Sequence, residues 1–143
     1  MKIMFQAIMM FVFMSCDSYA QGQNTSNYKN ILLGQWIFNK PETIENFSNS
    51  DMSAAEFKKF SSILKPSEIV ITGKFYSAHI QGRKPTQTPY SIISISDNGE
   101  CFKLQLEDNR IPLDIQKLEV CVVNNKLFLP SVKGAKEILN RKL

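Results

Sequence analysis

The chain has 143 residues, with 17 Lys and Arg against 13 Asp and Glu, so its formal net charge is +4. This mild excess is dispersed among acidic residues, which argues against a nucleic-acid-binding surface. Only one histidine is present, and the predicted folded domain keeps two of the three cysteines. These are too few ligands for a common zinc site, so we expect neither a metal nor a cofactor.

The first 20 residues follow the order of an export signal. Lys2 gives a positive start, residues 3–14 form an apolar run broken only by Gln6, and a short polar stretch ends at Ala20. The apolar run is too short to span a bilayer as a permanent helix. We therefore predict a signal peptide over residues 1–20 and a secreted or periplasmic protein.

Two cleavage sites fit this segment. Ser18 and Ala20 are the small residues that signal peptidase prefers before a cut at Gln21, which would release a soluble protein. Met14-Ser15-Cys16 resembles a bacterial lipobox, which would place a lipid on Cys16 and tether the protein to the envelope. An uncleaved anchor is a third alternative, and we expect membrane contact only if the chain is tethered.

We expect residues 21–30 to be a flexible polar leader, because they contain almost nothing to bury. Residues 31–143 then form a single small domain. Its first strand is predicted over residues 31–38, followed by a loop rich in Asn, Ser and Pro.

The pattern around Ser53 predicts one helix over residues 54–64. Ser53 suits the N-cap, and Glu56 stands where it can return the capping hydrogen bond. Pro66 favours an end at Lys65. Apolar side chains recur at helical spacing and give the helix one face to pack against the domain. These are Phe57, Phe60, Ile63 and Leu64.

After Pro66 the pattern predicts strands over residues 68–72, 74–81, 90–96 and 101–107, with a long loop at residues 82–89. Asn98-Gly99 is a strong hairpin signal, because both central residues of the favoured turn need positive φ. This turn would place Ile95 opposite Phe102 and Ile93 opposite Leu104.

The next hairpin has one register that satisfies packing, charge and cysteines together. With Cys101 opposite Cys121, Phe102 faces Val120 on the apolar side, and Lys103 faces Glu119 on the polar side. Directly opposed cysteines in an exported chain favour a disulfide. The alternative is two unpaired thiols.

The last predicted hairpin turns at Asn124-Asn125, and residues 134–143 form either a closing strand or a short helix. The total is about seven or eight strands, mostly joined by short antiparallel connections. The fold class is therefore mainly β, with one helix inserted after the first strand. The sheet is either a small up-and-down barrel or a strongly curved sheet, and barrel closure would leave no exposed edge.

Gly34-Gln35-Trp36 on the first strand, followed by an antiparallel meander, resembles the lipocalin-like (calycin) barrels. The resemblance implies that Trp36 packs across the closed end of the barrel beneath a late arginine, for which Arg141 is the candidate. It also implies a cavity for a small apolar ligand. Bulky inward-facing residues leave open the alternative of a filled interior.

No nucleophile, phosphate-binding or paired-acid motif is present, so we expect no enzymatic activity. Alternation along its strand predicts that His79 points away from the apolar side, so we do not expect it to act as a ligand or base. Tyr76 and Tyr90 are either part of a binding surface or ordinary aromatic partners within the sheet.

Two functions fit these features. The first is an exported binding module that holds a small apolar ligand or a protein surface. The second is a periplasmic immunity protein or enzyme inhibitor, which would use the basic, proline-stiffened segment Arg83-Lys84-Pro85 as a partner loop. A hollow interior would favour the first, and a filled barrel with a protruding loop would favour the second.

Overall fold

Eight antiparallel strands close into a barrel in a computed structural model of the chain. The structure describes the backbone of residues 21–143 and the side chains of residues 27–143. The predicted export signal and the predicted lipidation of Cys16 lie outside these residues. The barrel, the strand number and a helix after the first strand are confirmed.

Each strand pairs with the next one in the chain, and the last strand pairs with the first. The strands are β1 Gly34–Phe38, β2 Ser67–Ile71, β3 Phe75–Ile80, β4 Thr86–Ile95, β5 Cys101–Leu106, β6 Lys117–Val123, β7 Lys126–Pro130 and β8 Lys136–Arg141. The helices are α1 Gln21–Leu32, α2 Lys40–Ser48 and α3 Ala54–Ile63, with a 3-10 turn at Val132–Gly134. The C-terminal segment is thus the closing strand, and the short helix considered for it is excluded.

Inward-facing side chains from all the strands except β3 form one continuous buried core with a residue of α1. Trp36, Phe102, Leu104, Val120, Leu127 and Leu139 have no exposed surface. They alternate with outward-facing residues along their strands, as expected for a small barrel.

The start of the domain differs from the prediction. Residues 21–30, expected to form a flexible leader, lie in α1, and the first strand begins at Gly34 instead of Ile31. α1 is held by contacts distant in sequence: Leu32 is fully buried, and the Tyr28 ring lies against Gly99. Gly99 is required there, because a Cβ would overlap that ring and its φ is +72°.

The predicted loop after β1 was also wrong, because it contains α2. Asn39 caps this helix by accepting a hydrogen bond from the Glu42 backbone N–H at 3.2 Å, and Pro41 lies in the first turn. α2 lies along β8, where Thr43 Oγ1 accepts a 2.9 Å hydrogen bond from the Ile138 N–H. The cap and the proline are signals from which the helix could have been predicted.

The predicted helix over residues 54–64 is confirmed as α3, which ends one residue earlier. Ser53 and Glu56 form the reciprocal capping box. None of the α3 side chains is fully buried, and Ile63 keeps 59% of its surface exposed. The apolar face of α3 therefore packs only loosely on the barrel.

Two details of the strands also differ. The loop predicted over residues 82–89 is shorter, because β4 begins at Thr86. In the β4–β5 hairpin, Ile95 pairs with Phe102 as predicted, but a bulge between Ile92 and Ser94 places Ile92 opposite Leu104. Ile93 consequently points outward and is 50% exposed.

The predicted register of β5 and β6 is confirmed. Cys101 lies opposite Cys121, Phe102 opposite Val120 and Lys103 opposite Glu119. The two cysteines form a disulfide with their Cα atoms 4.0 Å apart. A disulfide is compatible with an oxidising extracellular or periplasmic location.

Replacing Cys101 and Cys121 together by alanine should lower the free energy of unfolding by about 3 kcal/mol, because the bridge closes a loop of 20 residues. Urea denaturation followed by circular dichroism measures this loss. The wild-type protein under reducing conditions is the matched comparison and should unfold near the same urea concentration as the variant. Equal midpoints for the oxidised and reduced wild type would contradict the prediction.

Candidate functional site

The two ends of the barrel are covered in different ways. At the closed end, where β1 begins and β8 ends, α1 lies against the barrel and contributes Leu32 to the core. At the mouth, where β2 and β8 begin, the chain from α2 through α3 covers the opening. The closed end is filled with side chains, and the mouth contains a cavity.

Arg141 joins three segments at the closed end. It lies directly opposite Trp36 in the β1–β8 pairing, and its guanidinium carbon is 4.2 Å from the centre of the Trp36 ring. Its Nη1 donates a 2.6 Å hydrogen bond to the Leu33 carbonyl, and its Nη2 donates to the Ile31 carbonyl. The guanidinium therefore satisfies carbonyls at the C-terminus of α1, where a positive charge is favourable.

Trp36 and Gly34 complete this arrangement. The Trp36 indole is fully buried and donates a 3.2 Å hydrogen bond from Nε1 to the Leu32 carbonyl. Gly34 has φ +143°, and a Cβ at that position would lie 2.7 Å from Arg141 Nη1. The structure thus brings together Trp36 and Arg141, the two residues predicted for barrel-end packing. A side chain at position 34 would collide with the Arg141 guanidinium, so a glycine is needed there.

Replacing Arg141 by alanine should lower the free energy of unfolding by about 2 kcal/mol, because two carbonyls lose their donors and Trp36 loses its cation–π partner. Trp36 is the single tryptophan, so its fluorescence reports on this site and should shift to longer wavelength. Lys142→Ala, at the exposed neighbouring position, is the matched control and should change neither property. A stability loss equal to that of the control would contradict the role of Arg141.

The mouth cavity has a volume of about 760 Å³ and lies between the barrel interior and α3. Its lining comes from α2, from α3 and the residues after it, and from β2, β3, β7 and β8. Most of the lining side chains are apolar. They include Phe47, Phe60, Ile69, Ala78, Ile80 and Leu129. This volume is in the range of sites that enclose a small molecule.

Four titratable side chains from the described part of the chain line the same cavity: Tyr76, Glu137, Lys65 and Arg83. Burial raises the pKa of the Glu137 carboxyl above its usual value. Burial also raises the pKa of the Tyr76 hydroxyl, and the charge of Glu137 adds to this effect. Lys65 and Arg83 are exposed and mark the rim.

Glu137 was not singled out from the sequence. Its position could have been found from Arg141, because residues 137, 139 and 141 share one face of β8. Once Arg141 is placed over Trp36, the same alternation turns Glu137 toward the interior. The carboxyl then enters the cavity opposite Leu129 of β7.

The other residues named from the sequence take different places. Lys84 and Pro85 are exposed in the β3–β4 connection, and Arg83 lines the cavity rim. His79 is exposed beside a shallow outer groove of about 370 Å³. Tyr90 belongs to the core, where its hydroxyl donates a 2.7 Å hydrogen bond to the Thr72 carbonyl.

Residues 21–143 contain no group of three His, Cys, Asp or Glu side chains arranged to hold a metal ion. None of the helices in this part of the chain combines the length and apolar character needed to cross a membrane. Comparison with protein-family models, with curated proteins and with solved structures finds no match to this chain.

Replacing Glu137 by glutamine should stabilise the protein more at about pH 8 than at about pH 4. Burial raises the pKa of the Glu137 carboxyl above its ordinary value of 4.5, so the folded protein holds this proton more tightly than the unfolded protein does. The wild-type protein therefore gains stability from the protonated carboxyl at acid pH. It loses this contribution as the pH rises through the folded-state pKa. Glutamine carries no charge at either pH.

Thermal unfolding of wild type and variant at both pH values measures the difference. Glu119→Gln is the matched control, because Glu119 is an exposed strand residue. Its effect on stability at either pH should be small, because solvent screens the charge at an exposed position. A Glu137→Gln effect that is the same at both pH values would show that burial does not disfavour ionisation of this carboxyl.

Proposed function

We propose that the protein is a non-enzymatic binding module that holds a small, largely apolar ligand in the mouth cavity. The observation that supports this function is the cavity itself, with its apolar walls and a few polar groups that converge on it. Sites for small molecules in proteins commonly combine these features. The filled closed end keeps the strands in place around this cavity.

Access to the cavity fits the packing of α3. Its side chains are all at least partly exposed, whereas α2 buries Thr43 and Phe47. A weakly packed element can open locally at low free-energy cost. An ion pair of 2.5 Å between Glu56 and Lys133 joins α3 to the β7–β8 connection, and its exposed position makes it a weak restraint. α3 is therefore the element through which a ligand would enter.

We also propose that the protein is exported and that it is related to the lipocalin-like (calycin) barrels. The order of residues 1–20 and the disulfide support a secreted or periplasmic location. Lipidation of Cys16 would instead tether the module to the envelope. The stack of Arg141 on Trp36 after Gly34-Gln35 supports the calycin-like relationship.

The alternative function, an immunity protein or enzyme inhibitor, rests on the exposure of the predicted partner loop. Arg83, Lys84 and Pro85 are all exposed, as an inserted loop requires. The connection is nevertheless short, with only residues 81–85 between β3 and β4. Because Arg83 also lines the cavity rim, we favour ligand binding over insertion into a partner.

A cavity-filling substitution tests the proposal. Ala78 of β3 lines the cavity, so Ala78→Phe should occupy space that a ligand needs. N-phenylnaphthylamine, an uncharged apolar dye that fluoresces on leaving water, is the probe. Its affinity for the full-chain variant should fall by about tenfold or more, because the ring competes for the same volume.

His79→Phe is the matched control, since it adds the same ring at the adjacent, exposed position of β3. It should bind the dye as the wild type does. Thermal unfolding of both variants establishes that they are folded. Equal dye binding by Ala78→Phe and wild type, or no binding by the wild type, would contradict a ligand site in the mouth cavity.

A further inference from the structure

Among residues 27–143, Glu137 is the one acidic side chain that lines the mouth cavity. Within residues 27–143 it has no ion-pair partner and no side-chain hydrogen bond. By contrast, Glu42 pairs with Lys126 at 2.6 Å and Glu56 pairs with Lys133. Glu137 is partly buried, so in the cavity it can pair with a ligand group of opposite charge without competing with a protein partner.

The surroundings of Glu137 suit a positively charged group. Aromatic rings from three elements line the same cavity: Phe47 from α2, Phe60 from α3 and Tyr76 from β3. The face of an aromatic ring attracts a cation, and this attraction grows when water is excluded. The Tyr76 hydroxyl oxygen can also accept a hydrogen bond from an N–H donor.

We propose that the ligand of the mouth cavity is a small apolar amine, whose protonated nitrogen pairs with the Glu137 carboxylate while its apolar part fills the space beneath α3. This inference rests on the proposed function. It goes beyond that function in assigning the chemical class of the ligand and the residue that selects it.

The rim of the cavity carries positive charges, which would favour an anionic ligand over an amine. Lys65 and Arg83 are cationic, but both are exposed on flexible side chains, and solvent screens their effect on a group inside the cavity. An anionic ligand would gain from them only at the rim. If its head entered the cavity it would meet Glu137, and like charges in a site of low polarity repel strongly.

The pairing has a pH dependence that follows from the same groups. Burial raises the pKa of the Tyr76 hydroxyl, so this group stays neutral between about pH 5 and pH 8, where an alkylamine stays protonated. Burial also raises the pKa of the Glu137 carboxyl, so this group loses its charge as the pH falls. Amine affinity should fall on acidification, because a protonated carboxyl attracts the cation less.

Isothermal titration calorimetry with three probes of equal chain length tests the inference on the full-chain protein. Octylamine should bind about tenfold more tightly than octanol, and octanoate should bind more weakly than either. Glu137→Gln should lower octylamine affinity about tenfold and leave octanol affinity unchanged. Glu119→Gln, at an exposed strand position, is the matched control and should change none of the affinities.

The wild-type protein supplies a second measurement that needs no variant. Its octylamine affinity should decrease between about pH 8 and pH 5, while its octanol affinity stays constant. Octanoate binding more tightly than octylamine, or octylamine binding equally to wild type and Glu137→Gln, would overturn the amine assignment and leave the cavity as a general apolar site. Failure of all three probes and of N-phenylnaphthylamine would overturn the proposed function as well.

Discussion

The guanidinium of Arg141 joins the last strand of the barrel to the first strand and to the end of α1. It stacks on Trp36 of the first strand and donates hydrogen bonds to carbonyls of Ile31 and Leu33 at the end of α1. Pairing of β1 with β8 closes the barrel at the same place and removes both sheet edges. The positions of the remaining strands depend on this closure.

The two ends of the barrel differ in packing. At the closed end Trp36 and Leu32 are both fully buried. At the mouth the opening is covered by a helix with no fully buried side chain, and about 760 Å³ lies beneath it. A rigid frame with one loosely packed cover is a physical arrangement that suits reversible binding.

The cavity is not uniformly apolar, and its chemistry centres on one carboxyl. Burial disfavours the charged form of Glu137, and this penalty lowers the stability of the folded protein at neutral pH. Such a cost is commonly retained where a buried group serves binding rather than folding. The same residue therefore links the stability of the barrel to the chemical nature of the ligand that we propose.

The sequence by itself determined the features that depend on near neighbours. Alternation, opposite charges and two cysteines all agree on one register for β5 and β6, and Ser53 with Glu56 determines where α3 begins. Only the tertiary structure decided that α1 is helical, that the bulge turns Ile93 outward and that α3 covers a cavity at the mouth. Each of these depends on contacts between segments distant in the chain, which local patterns do not record.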